Sequence, residues 1–130
     1  MIFDQHKPIF RQIADHVCDE IMLGRYAIGA RIPSVREYAV ALEVNVNTVA
    51  RSFEMLQNDG IIVKDRGIGF FVADKALEVI RRQRIDRFND EYLPDLFRQM
   101  HILGISGEEI ARRYDKYLAS LAASADDDEK

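Results

Sequence analysis

The side chains of this chain best suited to chemistry are amides, hydroxyls and guanidiniums, and they cluster. Asn45, Asn47, Thr48 and Arg51 fall along one short run, Asn45-Val46-Asn47-Thr48-Val49-Ala50-Arg51. Ser34 and Arg36 precede it, and Arg66 and Gly69 follow it between two β-rich stretches. Such groups hydrogen-bond to planar base edges and to phosphate oxygens. They do not form bond-breaking machinery, because no nucleophile, base and orienting residue assemble in any pattern along the chain. Cys18, the single cysteine, lies on an apolar helical repeat and reads as a core thiol. His6, His16 and His101 lack paired ligand spacing, so neither a metal nor a cofactor is expected. Gly67-Ile68-Gly69 precedes a strand and not a helix, which separates it from a phosphate-cradling loop.

Those side chains need elements to position them, and the punctuation between Gly29 and Val72 supplies such elements. Pro8 opens a first amphipathic helix in which Ile9, Ile13, Val17 and Ile21 recur at fours, ending near Gly24. A loop with a short extended piece at Arg31-Ile32 leads to Pro33. Ser34 then stands three before Glu37, the spacing of a capping box, and predicts a second helix over about 34–42 with Val35, Ala39 and Leu42 inward. Asn45 is a natural N-cap for a third helix reaching about Asn58, whose buried stripe is Val49, Phe53 and Leu56. Asp59-Gly60 closes it. Ile61-Ile62-Val63 and Phe70-Phe71-Val72 flank a glycine-containing loop and read as a hairpin.

Composition limits how such a surface would work. The chain has 130 residues, 48% apolar, and a net charge of -4. Residues 1–74 hold eight Lys/Arg against ten Asp/Glu, and residues 75–130 hold ten against twelve. Neither half is basic, so binding to a polyanion must rest on a few placed cations, helix N-termini and backbone amides. No apolar stretch approaches the roughly 20 residues of a membrane span, and the N-terminus shows no secretory apolar region. With one cysteine, a reducing compartment and a cytoplasmic location are expected, without membrane association.

Beyond Lys75 the pattern is helical. Leu77, Ile80, Ile85, Phe88, Tyr92, Leu96 and Met100 form a loose stripe that Pro94 interrupts, which predicts a kink or break near 90–94. Gly104 ends this segment. Ser106 and Glu109 form a second capping box, and Ile110, Tyr114, Tyr117, Leu118 and Leu121 continue as a last helix. Two helices cannot by themselves enclose a ligand pocket of about 300 Å³ or more. Their apolar side chains, Phe88, Tyr92, Leu96, Phe97, Met100, Tyr114, Tyr117 and Leu118, instead require a partner surface, most economically a second copy. The expected organisation is 1–74, a nucleic-acid-binding domain; 75–122, a helical dimerisation region; and 123–130, a frayed acidic tail.

The combination Gly29-Ala30-Arg31-Ile32-Pro33-Ser34-Val35-Arg36-Glu37-Tyr38-Ala39, Val44, Asn47-Thr48-Val49, Arg51, Leu56, Gly60-Ile61-Ile62 and Gly67-x-Gly69-x-Phe71-Val72 resembles the GntR family of bacterial transcription regulators. The resemblance covers about residues 8–73. It implies a mainly α fold with a small β-hairpin wing, a winged helix-turn-helix followed by a two-helix dimerisation region. Carried onto matching positions, it implies Ser34, Arg36, Asn47, Thr48, Arg51 and Gly69 as DNA contacts. The chain departs from the family where Val46 and Ala50 replace polar or basic residues, Tyr38 replaces leucine, and Ile68 and Phe70 replace wing polars. Arg66 is then the candidate wing cation. The short C-terminal region is similar to the YtrA-like subfamily.

These readings predict a sequence-specific regulator of transcription, a homodimeric repressor that binds a pseudo-palindrome in double-stranded operator DNA. A small-molecule effector is compatible with this, but no residue pattern assigns one. The competing expectation is a winged-helix protein-interaction module that does not bind DNA, suggested by the acidic balance and by Val46, Ala50 and Ile68.

Overall fold

The computed structural model describes residues 3–128. Six α-helices and one hairpin follow in the order α1 (Ile9–Met22), α2 (Val35–Leu42), α3 (Val46–Asn58), β1 (Ile62–Asp65), β2 (Gly69–Val72), α4 (Ala76–Arg87), a π-helical turn (Phe88–Tyr92), α5 (Leu93–Leu103) and α6 (Gly107–Asp128). The chain divides into two compact units between Ile85 and Asp86.

The first unit is built on the three helices and the hairpin. Ser34 caps α2: its Oγ accepts from the Glu37 N–H at 3.1 Å, and the Glu37 carboxylate accepts in return from the Ser34 N–H. Asn45 caps α3 through its Oδ1, which accepts from the Asn47 N–H at 2.7 Å. Between them the chain turns at Glu43, which takes a left-handed conformation (φ 56°) and so ends α2 without a glycine. Ile13, Val17 and Ile21 of α1, Val49, Phe53 and Leu56 of α3, and Ile61, Ile62 and Val72 of the hairpin region are buried in one core. A file of edge-on rings, His16, Tyr38, Phe53 and Phe70, runs through it, with centroids 6.2, 5.7 and 5.0 Å apart.

β1 and β2 pair antiparallel, with Ile62 opposite Val72 and Asp65 opposite Gly69. The extended piece expected at Arg31-Ile32 forms a third, minimal strand. Arg31 bridges Phe71, the Ile32 N–H donates to the Phe70 carbonyl at 2.9 Å, and the Val72 N–H donates to the Ala30 carbonyl at 2.9 Å. Ile61, read from sequence as the first strand residue, is instead the buried link: its N–H returns to the Leu56 carbonyl and its carbonyl accepts from Ala73.

α4 extends this unit. Ala76 and Ile80 are fully buried in its core, and Arg84 donates to the Asp15 carbonyl at 3.2 Å and pairs with Asp19 at 2.7 Å. The compact unit therefore reaches Ile85, past the boundary expected after residue 74.

The second unit holds the π-turn, α5 and α6. The break expected near 90–94 takes the form of that π-turn, in which the Leu93 N–H bonds the Phe88 carbonyl. Pro94 has no N–H and its ring crowds the carbonyl four residues back, so a wider turn just before it relieves both problems. Gly104 closes α5 in the left-handed conformation. At the start of α6 only half of the expected capping box forms. Ser106 Oγ accepts from the Glu109 N–H at 3.1 Å, but the Glu109 carboxylate turns to the Arg112 and Arg113 guanidiniums, which are stronger partners than a neutral backbone N–H. α6 continues to Asp128 through the stretch expected to fray. The last two residues of that tail lie outside the described residues.

Candidate nucleic-acid interface

α2 and α3 joined by the turn at Glu43 and Val44 constitute a helix-turn-helix, and the hairpin after α3 is its wing. α3 has two faces. Val49, Ser52, Phe53 and Leu56 are buried, while Asn45, Asn47, Ala50 and Arg51 are exposed and Thr48 is half-buried. The exposed face begins at the helix N-terminus, whose positive dipole end favours anions.

Asn47, Thr48 and Arg51 come together with Ile9 and Phe10 of α1 around an open recess of about 410 Å³. Phe10 contributes a ring face. The Arg51 guanidinium carbon stands 3.9 Å from the ring centroid, a cation–π contact. Phe10 is itself held from α3: buried Ser52 donates its hydroxyl to the Phe10 carbonyl at 2.6 Å and also lies 3.2 Å from the Thr48 carbonyl. Neither Phe10 nor Ser52 stands out in the sequence, because each acquires its role from a contact between distant segments.

Arg36 is exposed in the first turn of α2, and Arg66 is exposed at the tip of the hairpin. Ser34 and Asn45 are occupied as caps, so their side-chain oxygens already accept backbone N–H groups. Ser34 keeps its hydroxyl hydrogen, and Asn45 its amide hydrogens, for a ligand. Gly69 has a structural reason of its own. Its φ is +135°, and a Cβ there would lie 2.9 Å from Nε of Arg31, whose guanidinium covers it. Arg31 is thereby laid along the wing, a cation that motif reading passed over. The remaining predicted residues belong to the second unit. Phe88, Tyr92, Leu96, Phe97, Tyr114, Tyr117 and Leu118 are all exposed, and Met100 is half-buried.

Some cations of the first unit are neutralised by carboxylates and others are not. Lys7, Arg25 and Arg84 are paired with Asp15, Glu20 and Asp19. Arg31, Arg36, Arg51 and Arg66 pair with no carboxylate among the described residues. Arg36 stands on α2, Arg51 on α3, Arg66 on the wing and Arg31 on the extended piece bridged to it; Arg11, Lys64, Lys75, Arg81 and Arg82 likewise make no ion pair among the described residues. Among the described residues no group of His, Cys, Asp and Glu could hold a metal ion, and no helix is long and apolar enough to cross a membrane.

A helix-turn-helix with a hairpin wing and a polar reader helix is the architecture of DNA-binding transcription regulators. Comparison with known proteins agrees. The model of the family "Bacterial regulatory proteins, gntR family" matches residues 10–72. The HTH-type transcriptional regulator YhcF of Bacillus subtilis is 36% identical over 108 residues, covering 83% of this chain and 88% of YhcF. The HTH-type transcriptional repressor YtrA of the same organism is 28% identical, covering 79% and 78%. A crystal structure of a GntR-family regulator from Bacteroides thetaiotaomicron superposes with a TM-score of 0.75 at 48% identity, covering 87% of this chain and 98% of that one. The chain belongs to the GntR family, among its short YtrA-like members. It is a transcription regulator with a DNA-binding helix-turn-helix and not an enzyme.

Proposed function

We propose that the protein is a homodimeric repressor that occludes a promoter by binding a pseudo-palindromic operator, with half-sites about one helical turn apart. The observation that carries this reading is the division of α3 into a buried apolar face and an exposed face on which Asn47, Thr48 and Arg51 share one recess. In this reading α3 enters the major groove, where Asn47 and Arg51 reach base edges and Thr48 a phosphate or base. Arg36 contacts a phosphate or a guanine edge from the start of α2. The Ser34 and Asn45 caps lie against the backbone, and Arg66 and the Gly69 turn bring the wing to the duplex.

The second unit supplies the pairing. α5 carries no buried residue, and aromatic side chains of the π-turn, α5 and α6 are exposed. Phe97, Tyr114 and Tyr117 are each more than half exposed, a display that a second copy would cover. The role of YtrA as a repressor supports the same direction of control, and cytoplasmic location fits it. The test is a gel-shift with DNA from upstream of the protein's own coding region. A sequence-preferring complex at moderate salt is expected, weakened by about 5- to 100-fold in Arg36→Ala and in Thr48→Ala. Unchanged affinity in both variants would refute these contacts.

A further inference from the structure

We infer that Phe10 is a positioning residue for DNA readout: its ring holds the Arg51 guanidinium in the orientation from which Arg51 meets the duplex. The inference rests on the proposed role of Arg51 and goes beyond it, because Phe10 lies on α1, outside the helix-turn-helix. Three observations carry it. Arg51 stands 3.9 Å from the Phe10 ring centroid while remaining exposed and without a carboxylate partner among the described residues. The Phe10 backbone is fastened to α3 by the 2.6 Å bond from buried Ser52, which keeps the base of the ring beside Arg51. Phe10, Arg51, Asn47 and Thr48 border the same recess, which places the stack beside the groups proposed to read the operator.

The physical logic is one of conformational freedom. An exposed arginine samples many rotamers, and ordering it at an interface costs conformational entropy. A ring face that holds the guanidinium beforehand reduces that cost, and contact with a ring face does not use the N–H donors. Ser52 and Phe10 thus make a support in which a buried hydroxyl locates a backbone and the backbone locates a ring.

The experiment uses the intact protein and the duplex it enriches from a randomised DNA library. Phenylalanine at position 10 is replaced by its mono-, di- and trifluorinated analogues, which weaken the negative ring face with little change in shape, and each form is measured with Arg51 intact and in Arg51→Ala. The expected result is a stepwise loss of affinity, about 2- to 5-fold across the series, that is absent in Arg51→Ala, with unchanged thermal midpoints. Phe10→Tyr, which keeps a ring face, should bind like the natural protein, whereas Phe10→Leu should not. A flat series with Arg51 intact, or an equal loss in Arg51→Ala, overturns the inference even if Arg51→Ala itself binds weakly. Full affinity in Arg51→Ala, or no enriched duplex, overturns the underlying contact and this inference with it.

Discussion

Gly69 and Tyr38 show how single residues of the first unit are constrained from two directions. Gly69 needs a positive φ and also lies beneath the Arg31 guanidinium. Gly69→Ala therefore combines backbone strain with displacement of Arg31, and should destabilise by about 1–3 kcal/mol, measured by urea unfolding. Tyr38 is 4% exposed, and its hydroxyl hydrogen-bonds that of Tyr26. Burial, then the Tyr26 hydrogen bond, pushes the Tyr38 phenol well above its usual range. The folded state thus keeps a proton that the unfolded chain releases near pH 10. Stability from this site is complete below that pH and is lost as pH rises above it. Tyr38→Phe should lower the thermal midpoint at neutral pH, through the lost hydrogen bond, yet flatten its decline between about pH 9.5 and 11. An equally steep decline in both proteins would show that another group governs alkaline unfolding.

At the level of elements, local chemistry made the frame legible. Ser34 with Glu37, Asn45 as a cap and Gly60 after α3 act on backbone groups a few residues away, so sequence reading placed α2 and α3 closely. Ser34→Ala removes one such bond and should cost about 1 kcal/mol, seen as a lower denaturation midpoint with an unchanged slope. What could not be read was set by contacts between distant segments. Phe10 meets Arg51, Arg31 covers Gly69, and Ser52 grips Phe10, and none of these pairings leaves a periodicity. The disruption near Pro94 was visible because proline removes a specific donor, but its resolution as a π-turn depends on how Phe88 to Leu93 rewind. Glu109 shows the same limit: its spacing from Ser106 suggested reciprocal capping, while two arginines one turn on take its carboxylate.

Across the whole molecule, affinity for an operator should depend on coupling two weakly charged readers. Phe97→Glu places a charge on the exposed apolar face of α5 proposed for pairing. It should convert the protein to a folded monomer by analytical ultracentrifugation and lower operator affinity by about 10²-fold or more. A dimeric Phe97→Glu protein with full affinity would place pairing elsewhere. What was legible at this scale was the run of aromatics beyond Lys75, which the structure leaves exposed on the π-turn, α5 and α6.

The sorting of charge in the first unit has a consequence for life among a genome's worth of competing sequence. Most non-specific attraction to DNA is electrostatic, and here carboxylates neutralise Lys7, Arg25 and Arg84, so the first unit meets a polyanion with fewer free cations than its sequence counts. If the proposed function holds, such a regulator should be held only briefly by random sequence. Few molecules are then titrated away by bulk chromosome, and occupancy of a true site can be governed by a small cellular pool.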